Sequence, residues 1–93
     1  MDVAEVVRLA KGYVSDLFAE EQPVNVGLEE IEFDDKKDEW DVTIGFSRPW
    51  NLNRNALTAL TGDPVATGRS YKVVRIRDSD GIMVGLRQRT FAT

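Results

Sequence analysis

The chain has 93 residues, of which 42% are hydrophobic and 30% are charged, and it contains no cysteine and no histidine. This composition is that of one globular domain with a single core, and it excludes a disordered chain. Without cysteine or histidine the chain has no disulfide framework, no thiolate site and no catalytic triad built on histidine. We therefore expect a non-catalytic protein with no catalytic residues, no cofactor and no metal ion.

The sequence contains no segment that directs it to a membrane. Its first residues, MDVAE, lack the basic and apolar regions of a signal peptide. No apolar run approaches the roughly 18 residues that a membrane-spanning helix needs. We expect a soluble, cytoplasmic protein that does not bind membranes.

The net charge of −4 is distributed unevenly along the chain. Residues 1–45 carry 13 acidic and 4 basic side chains, whereas residues 46–93 carry 3 acidic and 8 basic side chains. The two halves must interleave within one small domain, and this leaves two interpretations open. Either the charges pair with one another across neighbouring strands, or they form a bipolar surface to which a partner docks.

The first predicted element is a helix at residues 3–20. Asp2 followed by Glu5 is typical of a helix N-cap with its capping-box partner. Apolar residues then recur at helical spacing, and Pro23 ends the pattern. The residues of this apolar stripe are Val3, Val6, Val7, Ala10, Val14, Leu17 and Phe18.

Two strands are predicted next, at about 26–34 and 40–47, and the polar sequence DDKKDE at 34–39 joins them as a hairpin. In the first strand the apolar alternation changes parity, which predicts a bulge near Glu29 and Glu30. In the second strand the alternation is strict, with apolar residues at Trp40, Val42, Ile44 and Phe46.

A long connection follows at 48–69, and within it residues 55–61 fit a short helix. Two more strands are predicted at 70–77 and 82–90, joined by a tight turn in which Gly81 supplies the positive φ angle. Turn-forming residues interrupt the long connection at Pro49, Gly62, Pro64 and Gly68.

These elements predict one α+β domain over residues 1–93, in which the helix packs on a four-stranded antiparallel meander sheet. The apolar stripe of the helix and the strongest strand each need a cover, so we expect their residues to be buried together. The predicted core consists of Val7, Leu17, Phe18, Trp40, Val42, Ile44 and Phe46.

Three segments resemble PepSY-like and cystatin-like α+β domains: AEVVRLA at 4–10, WDVTI at 40–44 and YKVVRIRDSDG at 71–81. The last segment is similar to the closing hairpin of such domains, and the chain also resembles small uncharacterised bacterial proteins with this ending. PepSY-like domains are typically exported and bind or inhibit partners, so the resemblance implies a binding role. The chain differs from them in its connection at 48–69, and we expect it to lack an export signal. The resemblance assigns no catalytic residue.

Five arginines lie on or beside the last two predicted strands, near the aromatic residues Tyr71 and Trp50. On one face of a sheet they would hold nucleic acid through stacking and phosphate contacts. The net negative charge disfavours this interpretation, because phosphate neutralisation dominates such affinity. The five residues are Arg69, Arg75, Arg77, Arg87 and Arg89.

The connection at 48–69 is the predicted partner-binding segment, because a purely structural turn needs only a few residues. It mixes basic and apolar side chains, as protein interfaces do. The alternative is that its tryptophan and leucines close the open end of the core. The predicted contact residues are Arg48, Trp50, Leu52, Arg54, Leu57 and Leu60.

The predicted function is that of a non-catalytic protein-interaction module, such as an inhibitor or an immunity factor. Its partner is another protein or a second copy of the chain. In a meander, the acidic strand at 28–34 and the basic strand at 82–90 lie at opposite edges, so two copies would meet edge to edge with opposite charges facing. One alternative is a small-ligand-binding protein or minor enzyme with a pocket between helix and sheet, and another is a nucleic-acid-associated protein that uses the basic strands.

Overall fold

A computed structural model describes residues 1–49 and 69–89 of the chain. The described elements are α1 (Val3–Leu17), a 3-10 turn (Ala19–Glu21), β1 (Val24–Asp34), β2 (Glu39–Ser47), β3 (Ser70–Arg77) and β4 (Met83–Gln88). The strands form one antiparallel sheet in the order β1-β2-β3-β4, and α1 contacts β1, β2 and β3. The predicted α+β fold, with a helix on a four-stranded antiparallel sheet, is confirmed.

The helix α1 begins where it was predicted to begin and ends earlier. The Oδ1 atom of its N-cap, Asp2, accepts a hydrogen bond of 2.8 Å from the backbone N–H of Glu5. The prediction extended the helix to residue 20, but Leu17 is its last residue because Phe18 leaves the helical conformation, with φ −108° and ψ 21°. A 3-10 turn takes the place of the last predicted helical residues. No helix in the described part of the chain has the length and apolar character needed to cross a bilayer.

The pairing of β1 with β2 contains the predicted bulge. The register shifts between Leu28 and Glu30, so Glu29 has no opposite residue in β2. A second irregularity surrounds Asn25, whose φ is 54°. Both irregularities lie on an edge strand, where they limit the length of regular backbone that another strand can join.

Four of the eight strand boundaries differ from the predicted ones by one or two residues, and the other four agree. β1 begins at Val24 rather than 26, β2 begins at Glu39 rather than 40, and β3 covers 70–77 as predicted. β4 runs from Met83 to Gln88, inside the predicted range of 82–90, of which residue 90 lies outside the described residues.

The core lies between α1 and one face of the sheet, called here the helix face. Three predicted core residues on β2 are fully buried there, and the predicted residues Phe18 and Trp40 pack against them while remaining partly exposed. The buried cluster consists of Val6, Ala10, Val14, Val42, Ile44, Phe46, Val74 and Ile76.

Two predicted core residues lie elsewhere. Leu17 is 56% exposed, and Val7 is only half-buried. The buried positions of α1 are four residues apart and end at Val14, and Phe18 continues this spacing with its ring centroid 5.3 Å from that of Phe46. Because Phe18 occupies this place against the sheet, the neighbouring Leu17 is left at the surface.

The substitution Phe46→Ala is expected to lower the free energy of unfolding by about 3–5 kcal/mol, because it removes a fully buried ring and leaves a cavity. The matched control Leu17→Ala, in the exposed part of the helix, should change it by no more than about 0.5 kcal/mol. Urea denaturation followed by circular dichroism measures both. An equal loss for the two variants would contradict the assignment of the core.

The turn between β3 and β4 is fastened to α1 and to β2 by side-chain hydrogen bonds. Gly81 has φ 73°, which confirms its predicted role in the turn. The phenol of Tyr13 donates to the carbonyl oxygen of Gly81 at 2.8 Å, and the indole Nε1 of Trp40 donates to Asp78 Oδ1 at 2.8 Å. The bond from Trp40 lowers the pKa of Asp78 below its ordinary value, because it stabilises the carboxylate form.

The depressed pKa of Asp78 predicts a specific loss of stability in acid. A carboxyl whose pKa is lowered by folding stabilises the native state above its unfolded pKa of about 3.9, and this contribution disappears as the pH falls through the folded value. The free energy of unfolding of the wild type should therefore fall more steeply below about pH 4 than that of Asp78→Asn. Urea denaturation at a series of pH values measures this. Identical slopes for the wild type and Asp78→Asn would refute the prediction.

Candidate interaction surface

The face of the sheet opposite α1, called here the outer face, is covered by charged side chains. Residues alternate between the two faces of a strand, so the neighbours of the core residues Val42 and Val74 point to the outer face. Thr43 and Val73 are each only 2% exposed there. The outer face carries Glu30, Glu32, Asp34, Glu39, Asp41, Thr43, Gly45, Tyr71, Val73, Arg75, Arg77, Gly85 and Arg87.

Arg75 joins β3 to β2 across the outer face. Its Nε lies 3.1 Å from Asp41 Oδ1, with which it forms a hydrogen bond, and 3.7 Å from Glu39 Oε1. The hydrogen bond and the charge of Asp41 raise the pKa of Arg75 above its ordinary value. The guanidinium is therefore committed to two carboxylates of its own sheet.

Arg69 and Glu29 form an ion pair that lies close to the sheet over a glycine. The Arg69 Nη2 and Glu29 Oε1 atoms are 3.3 Å apart. A Cβ atom built at Gly45 would lie 2.8 Å from Glu29 Oε1 and 3.0 Å from Arg69 Nε, closer than van der Waals contact permits. The absence of a side chain at Gly45 thus makes room for the pair.

Arg89 connects the two edges of the sheet. It follows β4, yet its Nη1 lies 2.9 Å from Oε1 of Glu30 on β1. Together with the pairs of Arg75 and Arg69, this contact joins basic groups of residues 69–89 to acidic groups of residues 29–41. The interpretation that the two halves of the chain pair their charges across strands is confirmed for these side chains.

Three charges of the outer face have no ion pair with another described residue, and one of them, Asp34, accepts hydrogen bonds from the backbone N–H groups of Lys36 and Lys37 in the β1–β2 turn. The other two, Glu32 on β1 and Arg87 on β4, are exposed, and neither has an ion pair with another residue in ranges 1–49 and 69–89. They lie on opposite edge strands of the sheet. A residual bipolar character therefore remains at the two edges, acidic at β1 and basic at β4.

Large apolar side chains are exposed on or beside the same edge strands. On β1, Leu28 and Phe33 are 42% and 43% exposed, and at β4, Ile82 and Val84 are 52% and 38% exposed. The sequence prediction did not select these residues. The width of the predicted sheet could have indicated that apolar residues of the edge strands are exposed, because one helix cannot cover the helix face of four strands.

Two shallow hollows occur at the surface of the sheet. One, of about 170 Å³, is lined by Val73, Arg75, Gly85, Leu86 and Arg87. The other, of about 360 Å³, lies at the β1–β2 turn and is lined by Glu32, Phe33, Asp34, Asp35, Lys36 and Asp41. Neither hollow is lined by a residue of α1, so neither is the pocket between helix and sheet that a ligand-binding function would use.

Arg48 is the one predicted contact residue in the described part of the chain, and its side chain is 16% exposed. Its guanidinium pairs with Glu21, donates a hydrogen bond to the Oγ of Ser70 and lies 4.9 Å from the ring centroid of Phe46. These contacts tie the end of β2 to the start of β3 and to the turn after α1. The other predicted contact residues lie outside the described residues, so their role stays a prediction: Trp50, Leu52, Arg54, Leu57 and Leu60.

No protein-family model, curated protein sequence or solved structure matches this chain. The resemblance to PepSY-like and cystatin-like domains therefore stays a prediction. The candidate surface is defined by its own geometry and chemistry.

The contacts of Arg48 predict a mainly structural effect of its removal. The substitution Arg48→Ala should lower the free energy of unfolding by about 1–3 kcal/mol, because it leaves Glu21 and Ser70 without their partner. The control Arg8→Ala removes an exposed arginine of α1 and should change it by no more than about 0.5 kcal/mol. Thermal and urea denaturation measure the two variants. If Arg48→Ala is as stable as the wild type, these contacts do not stabilise the fold.

Proposed function

We propose that this chain is a non-catalytic, cytoplasmic protein-interaction module that binds another protein or a second copy of itself. An inhibitor or an immunity factor is the kind of protein that works in this way. The edges of the sheet are its binding surfaces, and the predicted contact residues of the 48–69 connection extend them.

The observation that carries this proposal is the composition of the two edge strands. Each edge combines large exposed apolar side chains with charges of one sign. Leu28 and Phe33 accompany the acidic residues of β1, and Ile82 and Val84 accompany Arg87. Protein interfaces have this composition, in which apolar anchors supply affinity and surrounding charges orient the partner and speed its arrival.

The alternatives receive less support from the described residues. Four of the five arginines considered for nucleic acid, namely Arg69, Arg75, Arg77 and Arg89, pair with carboxylates of the same chain. Paired arginines release few counterions when they meet phosphates, so they contribute little to nucleic-acid affinity. A small-ligand function has no support from the two hollows, which lie on the outer face and at a turn.

The test begins with co-purification of a partner from the native host and reconstitution of the complex from purified components. The variants Leu28→Asp and Ile82→Asp place a charge in each apolar edge, and Leu17→Asp places one at an exposed position on α1. At least one edge variant should weaken binding by about 30-fold, because an anchor residue contributes about 2 kcal/mol. The α1 control should bind as the wild type does. Equal affinity for all three variants would exclude the edges as the binding surface.

Catalysis is tested separately with broad panels of hydrolase and phosphatase substrates. The proposal predicts no turnover above buffer. Turnover that is abolished by Glu32→Gln or Asp41→Asn, in a variant that remains folded, would overturn it.

A further inference from the structure

The backbone of β4 is available for another strand along a short regular stretch. The Arg89 N–H donates to the carbonyl oxygen of Tyr71 at 2.9 Å. Because bonded and non-bonded pairs alternate in an antiparallel ladder, the polar backbone groups of Leu86 and Gln88 point away from β3. No described strand lies beyond β4. Residues 85–89 are therefore a regular edge with donors and acceptors for one more strand.

The same reasoning applies to β1 at the other edge. The Asp78 N–H donates to the carbonyl oxygen of Asp38 at 2.9 Å, so these two residues are a bonded pair at the end of β2 and β3. Counting from this pair, alternation directs the backbone N–H and C=O groups of Asp41 toward β1, where Glu32 is the opposite residue. The backbone groups of Ile31 and Phe33 then point away from the sheet. The register is regular over residues 30–34, between the bulge at Glu29 and the turn that follows Asp34.

The two regular edges complement each other in one antiparallel register. If Leu86 of one copy pairs with Phe33 of a second copy, Gln88 pairs with Ile31 of that copy. Arg87 then lies directly opposite Glu32 of the second copy. The apolar members of these pairs lie on the helix face, and the charged pair lies on the outer face.

We propose that β4 of one copy adds to β1 of a second copy in this register, so that the sheet continues head to tail from copy to copy. This inference rests on the proposed function and names its partner as the chain itself. Arg87 and Glu32, which have no ion pair within residues 1–49 and 69–89, are the charged pair of the contact. Gly85, which helps to line the smaller hollow, lies opposite Asp34 of the second copy and gives that side chain room.

Other pairings of two copies are less favourable. Pairing β4 with β4 brings the arginines at positions 87 and 89 of the two copies near one another, and pairing β1 with β1 brings two acidic strands together. Like charges on facing strands destabilise a sheet. The head-to-tail contact also keeps α1 of each copy on the same side of the continuous sheet. Because its two surfaces differ, this contact leaves a free edge at each end and does not stop at a dimer.

The experiment is sedimentation velocity of the full chain over a range of protein concentrations. The wild type should form species larger than a dimer, and added salt should weaken them. The single reversals Arg87→Glu and Glu32→Arg should each weaken self-association by about tenfold or more, because each places like charges opposite one another. An equimolar mixture of the two reversed proteins, and the double reversal in one chain, should restore it. Circular dichroism verifies that each variant is folded.

The matched control is Arg8→Glu, which changes the net charge by the same amount as Arg87→Glu but lies at an exposed position on α1. This control should associate as the wild type does. A wild type that remains monomeric, an association that stops at the dimer, or a mixture that fails to restore association would each overturn the inference. A third outcome separates the two proposals. If the wild type is monomeric but binds a different protein, and Leu28→Asp or Ile82→Asp weakens that binding, only this inference is overturned and the proposed function stands.

Discussion

The width of the sheet relative to its single helix determines much of the remaining structure. Strands lie about 4.8 Å apart and a helix with its side chains is about 10 Å across, so one helix covers roughly two strands. The inner strands β2 and β3 accordingly supply all the fully buried strand residues of the core, such as Phe46 and Ile76. The edge strands receive partial cover, which leaves Leu28 and Phe33 at the surface. The exposed apolar positions of β1 follow from this geometry.

The outer face of the sheet has no helix packed on it in the described part of the chain. Val73 and Thr43 are nevertheless almost completely excluded from solvent. Arginine side chains have long aliphatic stems that cover apolar surface while their charged ends stay at its rim. Here those ends meet carboxylates of neighbouring strands, as Arg75 meets Asp41. The acidic first half and the basic second half of the sequence therefore complete one surface together.

The fold was largely predictable because its signals are local. The alternation from Trp40 to Phe46, the bulge near Glu29 and the glycine of the β3–β4 turn each follow from a few adjacent residues. Leu17 was misplaced because helical spacing allows either Leu17 or Phe18 to continue the stripe, and the choice depends on contact with Phe46. The ion pairs and exposed edges depend on which strands are neighbours and in which register. Only the assembled sheet contains that information. The sequence therefore predicted that the two halves of the chain pair their charges, but it did not predict which residues form each pair.

The contact between Arg48 and Ser70 has a consequence for how this protein can change during evolution. It joins the first residue of the 48–69 connection to the first residue after that connection, and the strands on either side are already in register. The entropy of closing a loop grows slowly with its length, by about 0.6 kcal/mol for each doubling. Insertions and deletions between Arg48 and Ser70 should therefore have little effect on the register of β2 with β3. A lineage can therefore exchange that stretch of sequence while inheriting the same sheet.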